Sequence, residues 1–281
     1  MAPTSAQAKL NRVVIAVKQV PDTTQVKVDP VTGTLIREGV PFIVNPFDTH
    51  AVEAALSLKD RFGCPVTAIT MGPPNAVATL RRCLALGVDD AILISDRAFG
   101  GADTLATSYV LSEVIRRLEK EMGRVDVVIC GKQTIDGDTA QVGPGIAQRM
   151  NLCQLTLVDK IQEIDPEKRT ITVRRKLEGR HEVVQAQLPA LLTVVREINQ
   201  PRYPTVPRRL DAETAPIPVW DNAFLKLPAE KIGLKGSPTS VMKIFAPQRA
   251  VGEIVGDGEK DPEGTVQTLI KKLIQRDLIT F

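Results

Sequence analysis

Residues Asp126–Cys130 read DVVIC. The chain then continues as Gly131-Lys132-Gln133-Thr134-Ile135-Asp136-Gly137-Asp138-Thr139-Ala140-Gln141-Val142 before GPGIAQRM carries it to Met150. A short apolar run rich in β-branched residues reads as a strand buried on both faces, as in a parallel sheet. The small and polar residues after it read as a loop. Thr139–Met150 reads as a helix opening from that loop, weakened near its start by Gly143-Pro144-Gly145. The same unit recurs upstream, with strands predicted at Arg12–Val17 (RVVIAV), Val66–Thr70 (VTAIT) and Ala91–Ser95 (AILIS). Helices are predicted over Thr49–Phe62 with Asp48 as cap, over Asn75–Leu86 with Gly87 as stop, and over Asp103–Lys120. The last of these places Leu111, Val114, Ile115 and Leu118 on one stripe. Strand–helix alternation of this kind predicts a doubly wound, mainly parallel α/β domain.

Two hairpins decorate this pattern. Val26–Ile36 holds Asp29-Pro30-Val31-Thr32-Gly33, a strong turn signal, and Leu155–Val173 turns around Asp165-Pro166-Glu167-Lys168. A strand over Ala190–Val195 completes the sheet. After Asn199 the texture changes: eight of the 20 prolines fall between Pro201 and Pro247 and the periodic pattern disappears. A stretch so rich in proline is predicted to be extended, without helices or a central strand. A short helix with Val266, Leu269, Ile270, Leu273 and Ile274 at helical spacing closes the chain. The expected organisation is a flexible tail over 1–11, an α/β domain over 12–199 and an extended arm over 200–281. That arm either wraps a partner subunit or lies on its own domain.

Composition sets outer bounds. The 281 residues carry a net charge of +3, with 43% apolar and 25% charged residues, enough to bury a full core and too balanced for disorder. A charge of +3 over this length leaves no basic stripe for nucleic acid. Cys64, Cys83, Cys130 and Cys153 show no C-x-x-C pairing and no neighbouring histidines, so they read as small core residues rather than metal ligands or a disulfide framework. No stretch approaches the ~20 apolar residues of a membrane span. Residues 1–12 lack the apolar core of a secretory signal, and a cytoplasmic protein is expected. One Trp and two Tyr supply few stacking platforms, so a planar ligand must be held mostly by backbone and small side chains.

In open α/β sheets ligands bind beyond the carboxyl ends of strands, at helix N-termini. Four segments meet that rule: Ala16-Val17-Lys18-Gln19, Asn45-Pro46-Phe47-Asp48, Gly100-Gly101-Ala102-Asp103-Thr104, and the loop from Gly131 to Thr139. The last is the most suggestive, because amides and small residues follow a buried strand and open a helix. Free N–H groups there, with Gln133 and Thr139, suit a phosphate or ribose; the alternative is a plain polar loop. Asp136 and Asp138 read as helix caps or ribose contacts rather than as a catalytic pair. No G-x-G-x-x-G or Walker A loop is present, and His50 and His181 leave acid–base catalysis thinly supplied.

With these motifs in hand, the sequence resembles the β subunit of electron transfer flavoproteins from about Arg12 to Ile279. The resemblance rests on Val13–Pro21 (VVIAVKQVP), Val44–Ala55 (VNPFDTHAVEAA), Gly131–Gln141 (GKQTIDGDTAQ) and Pro201-Arg202-Tyr203. It implies a Rossmann-like fold of the adenine nucleotide alpha hydrolase type, with a C-terminal arm wrapping an α subunit. It also implies an AMP pocket on Ala16, Asn45, Pro46, Phe47, Asp48, Met71 and the Gly131–Val142 loop. Phe47 is then expected near the flavin of the α subunit, and Ile198 to anchor the loop that docks dehydrogenase partners. Asp48 and Met71 depart from the cysteines of many AMP-binding members.

Thr70–Pro74 (TMGPP), Ser95–Ser108 (SDRAFGGADTLATS), Gly137-Asp138-Thr139 and Gly236-Ser237-Pro238-Thr239 are similar to the electron-bifurcating branch, which holds a second FAD in place of AMP. The resemblance then implies that Gly100, Gly101 and Ala102 leave room for an isoalloxazine ring. Thr104, Thr107 and Ser108 are implied to donate to pyrophosphate and ribityl oxygens, and Asp103 to cap the helix or contact the flavin. NADH is the implied hydride donor. One electron is expected to pass through the α-subunit FAD to an acyl-CoA-type dehydrogenase or quinone reductase, and the other to ferredoxin or flavodoxin. Lys18, Lys132 and Arg97 are candidates for tuning the flavin or contacting phosphate.

Overall fold

The computed structural model describes residues 9–22, 27–28, 35–36, 41–240 and 252–280. In chain order the elements begin with β1 (Val13–Ala16), β2 (Gln19–Pro21), β3 (Lys27–Val28), β4 (Leu35–Ile36), β5 (Phe42–Val44) and α1 (Pro46–Phe62). There follow β6 (Val66–Met71), α2 (Val77–Leu86), β7 (Asp90–Ile94), α3 (Thr104–Met122), β8 (Val127–Gly131) and α4 (Val142–Met150). The chain continues with β9 (Cys153–Asp165), β10 (Thr170–Leu177), β11 (Arg180–Gln187), β12 (Ala190–Val194) and α5 (Val206–Thr214), then β13 (Val219–Trp220), α6 (Asn222–Leu225) and α7 (Pro262–Gln275). The chain divides into two compact units, one of Met1–Asp29 with Leu35–Met242 and one of Pro30–Thr34 with Lys243–Phe281.

The first unit is built on a nine-stranded sheet of order β11-β10-β9-β12-β8-β1-β6-β7-β13. From β9 to β13 neighbouring strands run parallel, and β10 is antiparallel to both of its neighbours. Period-two alternation divides the core between two faces. In β1, Val13 and Ile15 pack with Ala51, Val52 and Leu56 of α1 and Leu80 of α2, whereas Val14 and Ala16 pack with Val110 and Val114 of α3 and Ile146 of α4. Helices therefore cover both faces, the doubly wound α/β architecture that the strand–helix alternation predicts. Burying each such Leu, Ile or Val contributes about 1.5–3 kcal/mol.

Local chemistry sets the helix ends. Asn45 precedes α1 with Pro46 in the first turn, where its missing N–H costs nothing, and Gly63 closes the helix at φ 65°. The expected cap, Asp48, instead lies inside the first turn of α1. Asp103, expected to cap the helix or contact the flavin, caps α3, accepting the N–H groups of Leu105 at 2.9 Å and Ala106 at 3.0 Å. The helix predicted from Thr139 begins only at Val142, so Thr139–Gln141 stay with the loop.

At the amino ends of the strands, charges tie the elements together. Asp126, fully buried, accepts the N–H of Asn11 at 2.7 Å, the Asn11 Nδ2 at 2.9 Å and the Arg169 Nη1 at 2.7 Å. Leu10 is buried as well. Residues 10 and 11 thus belong to the folded unit rather than to a flexible tail, while 1–8 lie outside the described residues. So do residues 26 and 29–34 of the Val26–Ile36 hairpin, whose β3 and β4 pair antiparallel.

The proline-rich stretch departs from expectation. It forms α5, with Pro207 in the first turn, and β13, which extends the sheet parallel to β7. Pro218 is compatible with this edge position because only its carbonyl is used, accepting the Leu93 N–H at 3.0 Å. Trp220, 7% exposed, packs against Phe224 with ring centroids 5.1 Å apart. The sheet also gains β11, a strand not expected from the sequence. In the second unit, α7 is capped by Asp261, which accepts the Gly264 N–H, and Glu253 pairs with Lys272 and Arg276.

Among the described residues no helix is long and apolar enough to cross a membrane.

Candidate functional site

Chain order across the sheet reverses between β1 and β8. From β1 the chain moves outward through β6 to β7, and from β8 it moves the other way to β12. Such a reversal opens a crevice at the carboxyl ends of the two strands, the general ligand position of open α/β sheets.

Asp48 sits in that crevice. Its Oδ2 accepts the Lys18 N–H, just past β1, at 2.8 Å, and its Oδ1 accepts the Gly131 N–H, at the end of β8, at 3.0 Å. Burial to 4% exposure pushes its pKa up to about 7, outweighing the hydrogen bonds from Lys18, Asn45 and Gly131 that favour the anion. A Cβ on Gly131 would lie 2.5 Å from Asp48 Oδ1 and 2.6 Å from Phe47 Cβ, so only glycine lets the N-terminus of α1 come this close.

Asn45, fully buried, holds the loop that follows. Its Nδ2 donates to the Gln133 carbonyl at 2.9 Å and its Oδ1 accepts the Ile135 N–H at 3.2 Å. Inside the loop, Gln133 Nε2 donates to Asp138 Oδ1 at 2.6 Å and the Asp138 N–H donates to the Thr134 carbonyl at 2.9 Å. Lys18 Nζ reaches Asp136 at 2.6 Å. Partial burial opposes ionisation of Asp136, but the Lys18 ammonium and the Thr134 hydroxyl prevail and hold its pKa below the ordinary value. Neither Asp136 nor Asp138 caps α4, contrary to the expectation from sequence. Gln141 takes that position without a side-chain cap bond. Asp138 and Ala140 adopt left-handed φ values of 51° and 55°, and these two residues bend the loop into the start of α4. First-turn N–H groups of α4 are left without a side-chain acceptor.

Ala16 and Met71, at the ends of β1 and β6, face the α3 and α4 side of the same rim. Thr104 Oγ1 donates to Gln141 Oε1 at 2.8 Å, joining the start of α3 to the Gly131–Val142 loop. The structure thus gathers the predicted residues along one rim, from Gly131 to Thr104.

The third-strand loop is arranged differently from expectation. Gly101 has a φ of 72°, the left-handed region that favours glycine, and Leu234 lies over it at ordinary contact distance, 3.4 Å from where a Cβ would stand. The Leu234 N–H donates to the Gly100 carbonyl at 3.1 Å. Asp103 accepts the Thr239 N–H at 3.1 Å and its hydroxyl at 2.8 Å through Oδ2, and the Asp103 N–H donates to Ser237 Oγ at 2.8 Å. Desolvation raises the Asp103 pKa, yet the donors from Ala106, Thr239 and Leu105 together hold it below the ordinary value. Residues 233–239 therefore form a strap over the Gly100–Asp103 loop. Ser108, buried, donates to the Leu105 carbonyl at 2.9 Å, so its hydroxyl proton is engaged within the helix. Thr107 is half-buried beside it, and Arg97 is exposed in the turn after β7.

Arg196 is a site residue that the sequence does not flag. Its guanidinium carbon lies 4.9 Å from the centre of the Phe47 ring, and Lys132 Nζ lies 6.0 Å from the same ring. No local motif marks Arg196; only the pairing of β12 with β8 brings it there. Ile198, two residues on, is half-buried against the α1 side of the core. Beyond it, Arg202 grips α1 through Glu53 Oε2 at 2.9 Å and Asp60 Oδ2 at 2.7 Å.

Comparison with known proteins identifies the family. The family described as "Electron transfer flavoprotein domain" matches residues 32–225. Protein FixA of Azotobacter vinelandii is 48% identical over 263 residues, covering 92% of this chain and 93% of its own. Subunit CarD of the caffeyl-CoA reductase-Etf complex of Acetobacterium woodii is 46% identical, covering 95% of this chain and all of its own. The electron transfer flavoprotein subunit beta of Megasphaera elsdenii is 45% identical, covering 95% and 99%.

Proposed function

The chain belongs to the electron transfer flavoprotein family as a β-type subunit, and from that premise we propose that it works in a heterodimer with an α subunit and holds FAD at the crevice between β1 and β8. In this reading the subunit accepts hydride from NADH and divides the electron pair. One electron goes to the α-subunit FAD and on to an acyl-CoA-type dehydrogenase or quinone reductase, and the other to ferredoxin or flavodoxin.

The observation that carries the reading is the Gly131–Val142 loop, tied at Gln133 and Ile135 to Asn45 and leading to the α4 start, whose N-terminal N–H groups have no side-chain cap. This donor set fits a phosphate-bearing dinucleotide. First-turn N–H groups of α4 would hold phosphate, Thr139 and Gln141 would meet ribose or ribityl oxygens, and Ala16 and Met71 would line the ring. A flavin, when bound, supplies both hydride acceptance and one-electron steps. The chain's own residues position it, and no side chain has to act as acid or base. The segment over 200–281 is proposed to engage the α subunit as an arm, and Ile198 to serve the docking of the dehydrogenase.

A second reading, a non-bifurcating subunit with structural AMP, is favoured by Leu234, which fills the space over Gly101. AMP has no isoalloxazine to place there. Flavin analysis of the purified αβ complex decides between them. Two FAD per heterodimer with rapid reduction by NADH is the expected result. One FAD and one AMP per heterodimer overturns the first reading in favour of the second.

A further inference from the structure

Three elements deliver three side chains to one spot at the rim. Phe47 is the second residue of α1. Lys132 directly follows β8, its N–H donating to the Val194 carbonyl at 2.8 Å. Arg196 follows β12, whose Val194 stands opposite Gly131 in the parallel pairing of β12 and β8. Arg196 and Lys132 thus reach the same aromatic ring, at 4.9 Å and 6.0 Å from its centre, within the range of cation–π attraction.

Neighbouring charges are already matched. Lys18 is spent on Asp136, Lys176 on Glu197, and Arg202 on Glu53 and Asp60. Glu197 adjoins Arg196 in sequence yet turns to Lys176. Among the described residues, neither Arg196 nor the Lys132 ammonium has an ion pair or a side-chain hydrogen bond. Two cations sharing one ring without a counter-ion repel each other, and an anion of two charges relieves that repulsion. A guanidinium laid against an aromatic ring keeps its edge donors free and pre-oriented, the geometry that meets phosphate oxygens two at a time.

We propose that Arg196 and Lys132, seated on Phe47, form a pyrophosphate-binding station on the β12 side of the crevice. The ligand class is a dinucleotide phosphoanhydride rather than a single carboxylate, because two fixed cations match its charge and the station borders the loop that leads to α4. Naming a dinucleotide rests on the function proposed above. The pyrophosphate belongs either to the flavin or to the nicotinamide donor.

The test uses the purified αβ complex and titrates inorganic pyrophosphate calorimetrically into wild type, Arg196→Gln, Lys132→Gln and Arg196→Lys. Each glutamine variant is expected to bind about tenfold more weakly, as follows from losing one charge-assisted contact. Arg196→Lys, which keeps the charge but loses the fork, should fall between. FAD content and the KM for NADH in a dye-reduction assay separate the sources. Lost FAD in Arg196→Gln assigns the flavin, and full FAD with a raised KM assigns the nicotinamide donor. Pyrophosphate affinity equal in all four proteins overturns the station, as does absence of binding in wild type together with full FAD content in Arg196→Gln. Unchanged FAD content together with unchanged KM overturns its assignment to a dinucleotide. A count of one FAD and one AMP in wild type overturns the cofactor reading while leaving the pyrophosphate isotherms to stand by themselves.

Discussion

The Asp48 carboxylate accepts the Gly131 N–H at 3.0 Å with one oxygen, and with the other it accepts the N–H of Lys18 at 2.8 Å. One side chain from the first turn of α1 thereby fixes the gap between the ends of β1 and β8.

Gly131→Ala places a methyl group 2.5 Å from Asp48 Oδ1 and 2.8 Å from the Phe47 carbonyl carbon. Backbone cannot yield as a flexible side-chain tip does. The variant should lose about 1–3 kcal/mol of stability and release nucleotide. Denaturant unfolding and nucleotide content after purification report both, and full retention of both would contradict the close approach.

Asp48 titrates at about 7 in the folded protein and near the ordinary carboxylate value of 3.8 when unfolded. Between these values the folded state binds the extra proton, so this group's contribution to stability falls as pH rises from 4 to 7 and is level above. The stability of wild type minus that of Asp48→Asn should therefore decline between pH 5 and pH 7.5. Other titrating groups cancel in the difference. A flat or rising difference in urea unfolding would contradict the burial of an ionisable carboxyl at this point.

Asp103→Ala removes the cap of α3 and both bonds to Thr239. Loss of the cap alone costs about 1 kcal/mol. Amide exchange at Thr239 should accelerate together with that of Leu105 and Ala106, because one carboxylate holds all three N–H groups. Exchange that changes at the helix start but not at Thr239 would sever the strap from the cap.

Arg202→Met leaves Glu53, 9% exposed, without its guanidinium. With Arg202 itself about one-third exposed, solvent moderates the loss to about 2 kcal/mol. Combining it with Glu53→Gln should recover part of that loss in a double-mutant cycle, and strict additivity would show that the pair is uncoupled.

Much of this architecture was legible in the chain. Parallel strands buried on both faces announce themselves as runs such as VVIA and VVICG, and β1, β6, β7, β8 and β12 lie within a residue or so of their predicted bounds. The α3 cap was legible because Asp103 stands directly before an amphipathic run. Asp48 was not, because an acidic residue near a helix start reads as a cap, and only the approach of β8 turns its carboxylate elsewhere. The helix α5 and the strand β13 were hidden by prolines whose tolerated positions, first helical turn and sheet edge, emerge only once the neighbours are in place. β11 alternates exposed and half-buried residues, and its mixed Arg-His-Glu-Val-Val-Gln content left too faint an apolar signal. At the site, the Gly131–Val142 loop was visible in sequence as a loop. Its partnership with Asn45 spans some 90 residues and belongs to the tertiary fold.

Trp220 gives the molecule an optical marker of its own. It is the chain's single tryptophan, and it lies in the two-residue edge strand that the proline-rich segment adds to β7. Its emission therefore registers the seating of that last strand rather than the melting of the central sheet. Should β13 peel from Leu93 and Ser95 before the sheet unfolds, the emission change will precede the loss of far-ultraviolet ellipticity, and the interval between the two curves will measure how firmly the final strand is latched.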